Sequence, residues 1–131
     1  MLGGYSTGST PANGNTVSFE ARGTSFEDNN APSPFDVGGL IVIGGENTSF
    51  PNGTSNNNVK VSLDGCRLAN NQSRDLMGIG ALSNPETIGS PGMNNHVTIV
   101  RPFSVYRTVQ LFINSIPDLP GLMNTVTVRN R

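Results

Sequence analysis

The sequence predicts an all-β solenoid in which short strands coil into about three stacked rungs, with long loops gathered on one edge. Three observations lead there. A degenerate five-residue pattern, Asn-x-Val-x-apolar, recurs four times along the 131 residues. Within each copy the apolar residues alternate with polar ones, the period of a strand with one buried face. Finally, the hydrophobic share is 34% and the charged share 13%, both below the usual values of about 45–50% and about 25%. Asn, Ser, Thr and Gly fill the difference, which suits many turns joining short strands better than disorder driven by charge. Sixteen glycines and nine prolines are spread along the chain, and no window holds apolar residues at helical spacing.

The copies begin near residues 15, 57, 95 and 124. They read Asn15-Thr16-Val17-Ser18-Phe19, Asn57-Asn58-Val59-Lys60-Val61, Asn95-His96-Val97-Thr98-Ile99 and Asn124-Thr125-Val126-Thr127-Val128. Alternation predicts that Val17, Phe19, Val59, Val61, Val97, Ile99, Val126 and Val128 point inward in two stacked columns. The first two copies align further, through Gly23 and Gly65 to a second apolar position, Phe26 and Leu68, and then to an Asn pair, Asn29-Asn30 and Asn70-Asn71. A third apolar segment follows in each, Leu40-Ile41-Val42-Ile43-Gly44 and Leu76-Met77-Gly78-Ile79-Gly80. One repeat therefore holds three short strands with Gly and Asn at its corners, where left-handed backbone angles are tolerated. The third copy keeps its first strand and a final one, Val109-Gln110-Leu111-Phe112-Ile113, but loses the Gly and the Asn pair between them. A chain turning through three strands lands on itself about 4.8 Å higher, so like stacks on like.

At this point the chain resembles the right-handed parallel β-helix repeat superfamily, the pectate-lyase-like solenoids. Their loose rung consensus is an alternating strand, then Gly-x-x-apolar, an Asn-containing corner and Gly-Ile, and residues 58–79 carry it best. The resemblance implies a fold, shared by polysaccharide lyases and hydrolases, adhesins and phage tail parts, and no single function.

Net charge is -1, so neither nucleic acid nor an anionic membrane is an expected partner. The amino-terminal stretch has no basic run followed by an apolar one, and no segment approaches a membrane helix. The compartment is thus left open. Cys66 stands alone, which excludes an internal disulfide and a multi-cysteine metal site. It aligns with Thr24 and reads as a small, partly buried thiol. His96 occupies the x of its copy, where the others have Thr16, Asn58 and Thr125, so it reads as an exposed strand residue. Three glycosylation-type triplets begin at Asn47, Asn52 and Asn71, as expected by chance in so Asn-rich a chain.

The least regular stretches, residues 7–14, 46–56, 83–94 and 115–123, should stack on one edge and offer a binding surface. They hold Glu46, Glu86 and Asp118, the candidates for catalysis if paired carboxylates act on a sugar. Arg22 and Asp64 share one outward position on adjacent rungs and are expected to form an ion pair worth at most about 1 kcal/mol. Two functional classes follow. The first is a non-enzymatic solenoid module for binding or assembly, with carbohydrate as the ligand class and no cofactor or metal. The alternative is a carbohydrate-active or other hydrolytic β-helix, a hydrolase or polysaccharide lyase, which admits calcium.

Residues 1–131 are expected to form a single domain. Leu2-Gly3-Gly4-Tyr5-Ser6 compares with Ile43-Gly44-Gly45 and with Gly80-Ala81-Leu82-Ser83, so residues 1–14 read as the remnant of a preceding rung. No cap is visible over that end. An uncovered end of a short solenoid invites a second copy, which predicts a homodimer through the open end.

Overall fold

The computed structural model describes residues 1–3, 5–6, 11–30, 40–47, 54–71, 75–83, 92–101, 109–114 and 123–131. All regular structure among them is β: β1 (Tyr5–Ser6), β2 (Thr16–Arg22), β3 (Ser25–Glu27), β4 (Leu40–Asn47), β5 (Asn58–Asp64), β6 (Arg67–Ala69), β7 (Leu76–Ser83), β8 (His96–Arg101), β9 (Val109–Asn114) and β10 (Thr125–Asn130). No helix among the described residues is long and apolar enough to cross a membrane.

The strands fall into three parallel sheets, ordered β1-β4-β7-β9, β10-β8-β5-β2 and β3-β6. The chain visits them in rotation, and each return pairs with the strand left at the previous visit. Register follows the repeat: Val17 lies beside Val59, Val59 beside Val97, and Val97 beside Val126. The resemblance of the first residues to later segments is equally literal, with Leu2 bridged to Ile43 and Tyr5 beside Glu46. Leu40 pairs with Leu76 and Leu76 with Val109, so the third copy keeps its place in the stack although its middle corner is missing.

Alternation buries one face of each strand. Val59, Val61, Val97 and Ile99 are fully buried, Leu63 nearly so, and Val42 and Leu76 close the same core from the opposite sheet. Val17, Phe19, Val126 and Val128 pack on this cluster but are only half-buried, because each has a neighbouring strand on one side alone among the described residues. All eight residues expected to point inward belong to this cluster.

The corners supply the left-handed backbone that such a path needs. Gly14, Asn56, Asn94 and Met123 form one column, with φ of 71°, 58°, 54° and 49°. Gly23 and Gly65 form a second, and Asp28 and Asn70 a third. Gly, and after it Asn and Asp, are the residues that adopt this geometry at least cost. Met123 is the exception among these corners.

Beside the first column runs a ladder of asparagines. Oδ1 of Asn57 accepts the backbone N–H and the Nδ2 of Asn15, both at 3.0 Å. Asn95 receives the same pair from Asn57 at 3.1 and 3.0 Å, and Asn124 from Asn95 at 2.8 and 3.1 Å. The remaining Nδ2 hydrogens close onto carbonyls of the neighbouring turn: Asn57 onto Ala12, Asn95 onto Thr54 and Asn124 onto Gly92. Asn57 and Asn95 are fully buried and Asn124 nearly so. The leading Asn of the repeat is therefore a core residue. Room for it comes from glycine: a Cβ on Gly44 would lie 2.4 Å from the Gly80 carbonyl and 3.0 Å from the Asn95 Cβ.

Candidate functional site

Inward apolar residues leave the alternate positions of β2, β5, β8 and β10 facing solvent as a four-strand polar surface. In-register pairing arranges these side chains in rows across the strands. One row holds Thr16, Asn58, His96 and Thr125; the next, Ser18, Lys60, Thr98 and Thr127; a third, Glu20, Ser62, Val100 and Arg129. Arg22 and Asp64 follow at the far end of the first two strands.

Across these rows lies an open groove of about 510 Å³. Ser18, Phe19, Glu20 and Arg22 line it from β2, Lys60 and Ser62 from β5, Val100 from β8, and Arg129, Asn130 and Arg131 from β10 and its end. Charge is unevenly distributed in it. Arg22 is neutralised by Glu20, whose carboxylate accepts from Nε at 2.9 Å and Nη2 at 2.6 Å. Both side chains are exposed, so the pair contributes little to stability. Hydrogen bonding to Glu20 raises the Arg22 pKa further above its ordinary value. Lys60, Arg129 and Arg131 have no carboxylate partner among the described residues.

The expected pairing of Arg22 with Asp64 is thereby corrected. They are register partners, but a carboxylate two residues away on the same face reaches the guanidinium first, and Asp64 adds only a minor field. His96 is exposed as expected, with Nδ1 2.8 Å from the Thr125 hydroxyl on the adjacent strand. Cys66 is buried, its Sγ 3.6 Å from the Asp64 carbonyl. Asn71, the first residue of one glycosylation-type triplet, is buried in a second ladder: it accepts from Asn29 and donates to Asp75.

Of the three carboxylates singled out for catalysis, only Glu46 lies within the described residues; Glu86 and Asp118 lie outside them. Glu46 stands near the end of β4, between Tyr5 and Leu82 in register, so the strand runs further into residues 46–56 than the sequence suggested. It is half-buried, and desolvation pushes its pKa above the usual glutamate range. Asn13, exposed in the stretch before the first copy, accepts from the Ser55 amide at 2.7 Å, which ties two of the irregular stretches together. The described residues contain no group of three or more His, Cys, Asp or Glu that could hold a metal.

Sequence reasoning missed the cationic groove. Its residues come from all four copies of the repeat, and its cations occupy no position the pattern specifies. The signal that could have found them is register: reading the outward positions of all copies side by side puts Lys60 and Arg129 on one face. No family model, curated protein or solved structure matches the chain.

Proposed function

We propose that this chain is a right-handed parallel β-helix of about three rungs that serves as a non-enzymatic module for binding and assembly. The rotation of the chain through its sheets and the 42-residue offset of the first ladder bonds support a coil. The observation that carries the functional reading is the outer face of β2, β5, β8 and β10, an open groove with hydroxyl, amide and basic side chains on rigid strands. Polar groups held in fixed rows suit an extended ligand rich in hydroxyls, so carbohydrate is the ligand class.

The test is binding of the purified protein to immobilised polysaccharides, with cleavage of the same polymers assayed with and without calcium. Binding without turnover is expected. Turnover lost in Glu46→Gln, Glu86→Gln or Asp118→Asn would replace this reading with the hydrolase or lyase. One observation favours that second reading: burial raises the pKa of Glu46, a shift in the direction that suits a proton donor.

Assembly is proposed at the ends of the stack. Half-buried Val17 and Phe19 on β2 present an apolar edge with backbone groups that a second copy would cover. Sedimentation at micromolar concentration should give a homodimer. A clean monomer with a cooperative melt would remove this part of the proposal.

A further inference from the structure

The binding reading can be taken further, to the charge of the ligand. We propose that the groove across β2, β5, β8 and β10 takes a linear anionic glycan, whose carboxylate or sulfate groups are held by Lys60, Arg129 and Arg131. The inference rests on the binding reading above and adds ligand charge to it.

Four observations carry it. The chain is nearly neutral, with eight basic and nine acidic residues, yet the groove gathers four basic side chains against one acidic side chain, Glu20. That carboxylate is engaged by Arg22, so it does not offset the other three. Lys60 and Arg129 are exposed and have no acidic partner among the described residues. Their strands are separated by β8 alone and their rows by two residues, which sets their backbones about 10 Å apart across the stack and about 7 Å along it. Arg129 and Arg131 are two residues apart, about 7 Å along an extended chain. Charges held at such intervals on rigid strands match a polymer carrying one oxyanion every sugar or every second sugar. An arginine fork engages a carboxylate or sulfate through two parallel hydrogen bonds, which a neutral hydroxyl cannot return with charge.

A sugar chain fits better than a nucleic acid. Ser18 and Ser62 line the groove beside Lys60 and offer hydroxyls to hydroxyls. No Phe, Tyr or Trp stands in the outward rows; Phe19 lines the groove but packs on the core, and His96 stands outside the lining, so the groove has no outward aromatic platform on which a base could stack. The basic patch is also confined to a few residues in a chain of net charge -1, too small a field for a phosphate backbone.

The experiment measures affinity of the full chain for four probes: dextran sulfate, polygalacturonate, neutral dextran and a single-stranded DNA oligomer. Binding to one or both anionic glycans is expected, weakening as salt rises. The preferred one identifies sulfate or carboxylate as the source of charge. Lys60→Gln combined with Arg129→Gln should lower that affinity by about tenfold or more with an unchanged melt. Arg67→Gln is the control, since Arg67 pairs with Glu27 on the β3-β6 sheet, and it should bind like the parent. Equal affinity for neutral dextran, or an undiminished affinity in the double variant, would overturn the anionic inference and leave the binding reading standing. Failure of every glycan to bind would overturn both. DNA bound more tightly than either anionic glycan would overturn the assignment to sugar.

Discussion

Replacing Asn95 with alanine should cost this protein a large share of its stability, and replacing Asn15 should cost little. Asn95 is fully buried and makes four side-chain hydrogen bonds. It accepts from the Asn57 backbone N–H and Nδ2, and donates to the Thr54 carbonyl and to Asn124 Oδ1. In Asn95→Ala the Asn57 side chain keeps its bond to Ala12, and Asn124 Oδ1 keeps the Asn95 backbone N–H. The Asn57 backbone N–H and the Thr54 carbonyl lose the partners described here, and one Nδ2 hydrogen of Asn57 is stranded with them. At about 1–3 kcal/mol for each buried group left unsatisfied, the loss is about 3–9 kcal/mol, against a total of about 5–15 kcal/mol for a domain of ordinary stability. Asn15 is exposed. Its alanine variant gives up one side-chain bond to Asn57 Oδ1, which still holds the Asn15 backbone N–H, so the loss should stay below about 1 kcal/mol. Urea unfolding of both variants and the parent reads the two values directly. Equal destabilisation by the two substitutions would refute the argument, since it would mean that the ladder's interior and its end are energetically alike.

Gly44→Ala should destabilise by about 1–3 kcal/mol or more, because its methyl would press on the Gly80 carbonyl, and backbone cannot swing aside; a thermal melt within a degree of the parent would contradict it. Met123→Gly should stabilise by about 1 kcal/mol, since Met123 is exposed and holds φ of 49° where the equivalent corners are Gly14, Asn56 and Asn94; a lower melting temperature than the parent would count against that. Glu46 has its folded-state pKa raised by burial, so its contribution to stability is full below the unfolded carboxylate range and is lost as pH rises through the folded value. Glu46→Gln, which cannot ionise, should therefore gain on the parent between about pH 4 and about pH 7, and a gap in melting temperature that is the same at both would remove the buried-charge argument.

The repeat was legible because it is written in local chemistry. Val59, Val61, Val97 and Ile99 announce their facing by alternation, and the residues that begin each copy, Asn15, Asn57, Asn95 and Asn124, stand out by identity alone. What sequence could not say is why those asparagines recur. An Asn at a turn ordinarily serves its own backbone in contact with water, whereas these donate and accept between strands that lie 29 to 42 residues apart. The groove was illegible for a related reason: Lys60 and Arg129 are 69 positions apart in the numbering of the chain, and only register brings them onto one face. The Arg22 pairing went astray because register gives the positions of side chains and leaves open which of two nearby carboxylates a long guanidinium will reach.

The missing corner of the third copy also acquires a physical account. A stack of asparagines must end somewhere, and its last member has donors that need an acceptor. In the second ladder Asn29 donates to Asn71, and Asn71 donates through both its backbone N–H and its Nδ2 to Oδ1 of Asp75, four residues on in the same repeat. Asp75 thus takes the place that an asparagine of a third rung would hold. An ionised carboxylate accepts without donating, so it satisfies the ladder and asks nothing of a further rung. The third copy does without the Gly and Asn pair, and among the described residues the β3-β6 sheet has two strands while the other two sheets have four. Asn in that position would keep one acceptor oxygen but replace the other with an N–H donor and remove the charge, so Asp75→Asn should weaken the bonds from Asn71 and destabilise the chain despite its near-identical shape. Chemical unfolding at neutral pH tests this, and an Asp75→Asn variant as stable as the parent would show that the carboxylate is not what terminates the ladder.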